Sequence, residues 1–262
     1  MKKTLFINLA SVVAILLVSE IIIRSLNIVS LQGFEKNFFY KDQNITFNKP
    51  NVQVKVAGKK VKTDENGFRI PIKNYKFYHN KQTILILGDS VSFGFGVSET
   101  DSFVGISRYK KEKNFLNSSV IGHNLVSYLH LLKKYNKDPN YKFKDVVIFL
   151  CLNDIHLSEG VVSANEIKKK EKEINEGIFI NFLKNKLFLK LNFYLREKSS
   201  LFNLVKGLAS NSTKRHYEYM LWKYNEENSL IKYENYIKDI KKFSIQNNLN
   251  TKFVLLPYTY QV

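Results

Sequence analysis

At 262 residues the chain can bury one α/β core with appendages, and 44% hydrophobic residues, with 20 Phe and 15 Tyr, exclude a disordered composition. The 41 basic against 23 acidic residues leave a net charge of +18, a balance that would suit nucleic acid or an anionic surface. The basic residues are scattered, however, and the dense run Lys168 to Lys170 meets Glu171 and Glu173 at once, so no nucleic-acid partner is expected.

The N-terminus comes first in chain order. After Lys2 and Lys3, the run from Leu5 to Ile23 is apolar apart from Asn8, Ser11, Ser19 and Glu20. As a helix it would rise roughly 28 Å, about one hydrocarbon thickness. Residues 1–24 are therefore expected to form a single-pass anchor in the cytoplasmic (inner) membrane. The two lysines mark the cytoplasmic flank, which sends the following domain to the periplasmic or extracellular side. A cleaved signal peptide is the alternative, but no Ala-x-Ala site closes the run and Glu20 and Arg24 share one helical face instead.

Residues 25–82 mix short β-prone pieces, such as Val52 to Val56, with turn signals at Gly58 and Asn66-Gly67, and read as a stem on the edge of the domain that follows. Within 83–262, Thr83 to Gly88, Asp145 to Cys151 and Thr251 to Leu256 have the continuous apolar character of strands buried in a parallel sheet. Between the first two, His123 to Tyr135 carries Leu125, Tyr128, Leu131 and Leu132 at helical spacing; before the third, Tyr233 to Phe243 does the same. Alternating strand and helix predicts a three-layer α/β sandwich around a parallel, flavodoxin-like sheet. The Lys-, Leu- and Phe-rich stretch 158–228 is too long for a loop and predicts two or three amphipathic helices capping the strand ends.

The chemistry concentrates at Gly88-Asp89-Ser90-Val91-Ser92-Phe93-Gly94-Phe95-Gly96. In open α/β sheets ligands bind beyond the carboxyl ends of the strands, and a serine on that turn faces the crevice with its own N–H free. Phosphate-loop chemistry is excluded. No Gly-Lys-Ser/Thr follows, and Gly94-Phe95-Gly96 lacks the third glycine of a dinucleotide fingerprint. Cys151 is the sole cysteine, which excludes an intrachain disulfide. No His, Cys and carboxylate cluster has metal-ligand spacing, so neither metal nor cofactor is expected.

Three motifs in order, Gly88-Asp89-Ser90, Asn117-Ser-Ser-Val-Ile-Gly122-His-Asn and Val146-Val-Ile-Phe-Leu-Cys-Leu-Asn153-Asp154, resemble the first three blocks of the SGNH (GDSL) hydrolase family, with the likeness running from about Thr63 to Gln261. The resemblance implies Ser90 as nucleophile and oxyanion N–H donor, Gly122 as a second backbone donor, and Asn153 as the side-chain donor. Asp89 and Asp154, beside them in the same motifs, are expected to contact substrate. Cys151 stands where glycine is usual in the family and reads as a core thiol. Thr63-Asp-Glu-Asn-Gly67-Phe-Arg69, with the anchor, also resembles membrane-tethered members that act near cell-surface glycans.

A serine hydroxyl needs a base to remove its proton. In the family that base lies in a late Asp-x-x-His block, and none of His79, His123, His130, His156 or His216 has an aspartate three residues before it. The base, with the last strand and helix of the fold, is therefore expected to be missing from this chain, as in a truncated product or a partial sequence. The expected function is ester hydrolysis, with an O-acetylated envelope glycan as the substrate by analogy. The alternatives are O-acyl transfer on the same fold, or glycan binding and assembly without catalysis.

Overall fold

The computed structural model describes residues 2–29, 31–33, 35, 37–42, 45–78, 80–111, 113–157, 186–209 and 212–257. It begins with helix α1 (Lys2–Ser25), the one helix among the described residues long and apolar enough to cross a membrane. Five strands follow: β1 (Phe39–Asp42), β2 (Ile45–Asn48), β3 (Gln53–Val56), β4 (Lys59–Thr63) and β5 (Arg69–Ile70). Then come β6 (Thr83–Leu87), the short helix α2 (Ser90–Phe93), α3 (Phe103–Lys111), β7 (Asn114–Asn117), α4 (Leu125–Lys137) and β8 (Asp145–Leu150). Helices α5 (Lys186–Lys198), α6 (Ser200–Ala209), α7 (Ser212–Tyr224) and α8 (Glu227–Gln246) lead to β9 (Asn250–Leu255).

The main sheet has seven strands in the order β3-β4-β5-β7-β6-β8-β9, and β1 pairs with β2 separately. Strands β7, β6, β8 and β9 are parallel, with Ile86 opposite Asn117, Leu87 opposite Ile148 and Leu150 opposite Leu255. The chain leaves β6 towards β7 on one side, then crosses back to β8 and β9 on the other. Right-handed crossovers in opposite directions put their helices on opposite faces. Phe103 of α3 accordingly meets Phe149 on one face, ring centroids 4.8 Å apart. On the other face α4 and α8 cover Leu85, Leu87, Val146, Ile148 and Leu150 with Leu125, Leu131, Leu132 and Ile240. Each such fully buried aliphatic side chain contributes about 1.5–3 kcal/mol.

The sheet differs from the all-parallel one expected. Residues read as a stem supply β3, β4 and β5, which join it antiparallel through Arg69 opposite Asn117. Polar alternation disguises β3 and β4 because only one side of each is covered: Val56 and Val61 are buried while Lys55 and Lys60 face solvent. Strand β7 escapes sequence reading because asparagine bounds it at both ends. Both amides are buried and hydrogen bonded, Asn114 to the Tyr78 carbonyl and Asn117 to that of Ser92. At the opposite edge, β9 leaves Leu255 76% exposed, so it is not buried on both faces as its apolar run suggested.

Of the stretch expected to be helical, 158–185, 210 and 211 lie outside the described residues, and the described part carries α5, α6 and α7. Helix α7 packs on the turn after β8, where Tyr219 stacks on His156 at 5.0 Å. Helix α6 packs on α1 instead. The α4 helix starts at Leu125, two residues later than its apolar period suggested, because the Asn124 side chain caps it by accepting from Val126 N–H (3.0 Å).

Candidate active site

Strand β6 is followed by Gly88, where the chain must turn sharply. A side chain there would overlap the Ser92 hydroxyl and come within 3.3 Å of the Phe149 carbonyl, so glycine alone fits this approach. Asp89 then caps α2, its Oδ1 accepting from Val91 N–H at 2.9 Å. This sets Ser90 as the first residue of the short helix, half-buried.

The flanking parallel strands deliver the other two motifs to the same end of the sheet. After β7 the loop is stitched to β6: Ser118 N–H and Oγ both donate to the Ile86 carbonyl, and Val120 N–H donates to that of Gly88 (3.2 Å). It then reaches Gly122, whose φ of +84° is a left-handed conformation that strains any other residue. After β8 a short 3-10 turn, Leu152–Ile155, carries Asn153. The Asn153 amide donates to Asp89 Oδ2 at 2.9 Å, which couples this turn directly to the one that carries Ser90.

Asp89 and Asp154, expected to touch substrate, are buried and turned inward. Asp89 also accepts from the Cys151 thiol (3.5 Å), while Asp154 accepts from Cys151 N–H and the Tyr128 hydroxyl, each at 2.7 Å. Burial, with Asp89 close by, pushes the Asp154 carboxyl well above the usual carboxylate range. Burial and the same two aspartates raise the Cys151 thiol, which stays protonated.

The Ser90 hydroxyl, the Ser90 N–H and the Gly122 N–H make no hydrogen bond to any described residue. His123 is turned away: its Nε2 lies 2.6 Å from the Thr46 carbonyl, and burial lowers its pKa to about 4. His156 holds the loops together through its carbonyl, which accepts from Asn124 Nδ2 (2.6 Å). His130, on α4, packs edge-on against the Phe47 ring of β2. His79 and the side chain of His216 lie outside the described residues.

Arg69 belongs to the site although sequence reading gave it no role beyond a motif position. It is wholly buried, and its guanidinium binds the carbonyls of Phe93, Gly94 (2.6 Å) and Val97 (2.6 Å), so it shapes the loop that follows Ser90. Glu99 balances it at 3.5 Å and also binds Arg108. An arginine in a polar turn carries no sequence signal for such burial; the Asn ahead of the α4 period, by contrast, is a legible cap signal. Among the described residues, no three His, Cys or carboxylate side chains form a metal-binding group.

No protein-family model matches the chain, and no curated protein does. Among solved structures, the crystal structure of AlinE4, an SGNH-hydrolase family esterase, aligns with a TM-score of 0.27 and 21% identity, covering 30% of this chain and 44% of that one. A single-substitution mutant of the same esterase aligns to the same extent. The chain thus spans less than half the length of the solved structures it matches.

Proposed function

We propose that the chain is a membrane-tethered serine acyl-ester hydrolase of the SGNH type. The observation that carries this reading is the strand order β7-β6-β8. It brings the turns of Gly122, Ser90 and Asn153 to one end of the sheet, with Asp89 bonded to the Asn153 amide. In this reading the Ser90 Oγ bonds to the acyl carbon and gives its proton to a base, while the carbonyl oxygen becomes an oxyanion. Ser90 N–H, Gly122 N–H and the Asn153 amide donate to that oxyanion. The alkoxide then leaves with a proton, and water releases the acyl group from Ser90. Asp89 and Asp154 act as positioning residues: Asp89 orients Asn153 and caps α2, and Asp154 holds the Cys151 backbone and with it the turn.

His123 does not supply the base, since its ring is committed to the Thr46 carbonyl and burial leaves it a weak base with a pKa of about 4. Helix α1 serves as the anchor, inserted with Lys2 and Lys3 on the cytoplasmic side. An O-acyl group on an envelope glycan suits a site on the outer side; with a sugar hydroxyl as acceptor instead of water, the same steps give O-acyl transfer.

A fluorophosphonate probe applied to membranes of cells expressing the gene in its natural reading frame tests the assignment. Labelling that disappears in Ser90→Ala supports the nucleophile. Label that persists in Ser90→Ala puts the nucleophile elsewhere, and a wild-type protein that never labels leaves glycan binding without catalysis. Reading the DNA beyond the codon for Val262 for an Asp-x-x-His block shows whether the gene encodes the base.

A further inference from the structure

We infer that the α5–α6 corner is a second membrane-binding surface, with the apolar face of α6 bedded among the acyl chains of the leaflet that holds the C-terminal half of α1. This rests on the reading of α1 as a membrane anchor. The corner is clasped to the last turns of α1 by two charged residues. Glu20 accepts from Ser199 Oγ (2.8 Å), Ser200 N–H (2.8 Å) and Leu201 N–H (2.9 Å), and so caps α6 from another helix. Arg24 binds both Glu20 and the Lys198 carbonyl. A carboxylate inside an apolar helix is costly in a membrane unless paired; here the pairing fixes α6 against α1.

From that capped end α6 runs along an apolar groove walled by Val13, Leu16 and Leu17 of α1 and by Phe202 and Val205 of α6. Its polar residues point elsewhere. Asn203 donates to the Arg196 carbonyl (2.9 Å) and Lys206 to Asn192 Oδ1 (3.1 Å), so both are turned to α5. The stripe opposite them, at i, i+4 and i+7, runs from half-buried Leu201 through Val205 on the groove wall to Leu208, with Val205 54% and Leu208 81% exposed. An amphipathic helix whose polar face is occupied by its own protein and whose apolar face continues a membrane-crossing helix has lipid as its fitting partner. On α5, Leu191, Tyr194 and Lys198 form a stripe of the apolar, aromatic and cationic types that suit the headgroup boundary. Because α7 follows α6 directly and packs on the Asn153 turn, this seating would hold the candidate site close above the membrane surface.

The test uses the full chain reconstituted in phosphatidylcholine–phosphatidylglycerol vesicles, with a bimane label on a single introduced cysteine. Native Cys151 is buried, and the unmodified protein serves as the labelling blank. Bimane at Leu208→Cys is expected to show blue-shifted emission, quenching by nitroxide-bearing lipid and loss of quenching by aqueous iodide. Bimane at Lys238→Cys on α8 is expected to show the reverse. Leu9→Cys on α1 reports the anchor, and Val205→Cys reads the same face should Leu208→Cys not fold. Iodide access at both α6 positions with lipid protection at Leu9 overturns the inference and leaves the anchor standing. Iodide access at Leu9 as well overturns both.

Discussion

At the scale of single residues, the candidate site depends on half-buried groups held in place by buried ones. Asn153 is held by Asp89 and proposed to donate to the oxyanion, so Asn153→Ala is expected to lower turnover by about 100- to 1,000-fold, with KM changed far less. Esterase assays on the gene's natural product measure this. Arg69 lies in a buried pair with Glu99 and ties three carbonyls after Ser90. Arg69→Met leaves those acceptors unpaired and is expected to cost about 3–5 kcal/mol in denaturant unfolding. His123 is buried in its neutral form, with a pKa lowered from 6.5 to about 4. As pH falls below 6.5 the unfolded chain takes up the proton before the folded one does. Stability is therefore complete above pH 6.5, is lost between 6.5 and 4, and is flat below. The total loss is about 3.5 kcal/mol at about 1.4 kcal/mol per pKa unit. His123→Gln keeps a donor for the Thr46 carbonyl and is expected to remove this part of the pH dependence, as read from thermal unfolding across that window.

At the scale of elements, sequence reading does best where one side chain type repeats at one period. Helices α4 and α8 are visible because their apolar residues face a single core, and strands β6 and β8 because both of their faces are covered. Reading fails for β7, where Asn114 and Asn117 are buried by hydrogen bonds made to partners 31 to 36 and 25 residues away. It fails in the other direction for β9, an apolar run that ends at the sheet edge with Leu255 exposed. The cap that Glu20 makes on α6 joins residues 180 positions apart and has no local signature. Glu20→Ala removes the acceptor for two helix N-terminal donors and is expected to cost about 0.5–2 kcal/mol locally. The measurement is faster hydrogen exchange at the Ser200 and Leu201 amides, with the β6 and β8 amides unchanged.

At the scale of the whole molecule, α1 and the sheet serve different ends. An anchor held by apolar burial is insensitive to ionic strength, whereas a surface held by the +18 charge would be screened off by salt. The protein is expected to stay in the membrane pellet through high-salt washing; release into the supernatant would refute the anchor. What the sequence by itself determined is the set of local choices: the apolar helix of α1, the buried strands β6 and β8, the helical period of α4, and the Gly88-Asp89-Ser90 turn. Each follows from side chains that act on their own neighbourhood through hydrophobic periodicity, capping or steric room. Only the tertiary structure decided that residues 53–70 extend the sheet, that Arg69 is interior, that Asp89 and Asp154 turn inward rather than outward, and that Glu20 clasps α6. Those outcomes depend on which carbonyls and amides from distant segments arrive beside a buried charge, and no window of adjacent residues contains both partners.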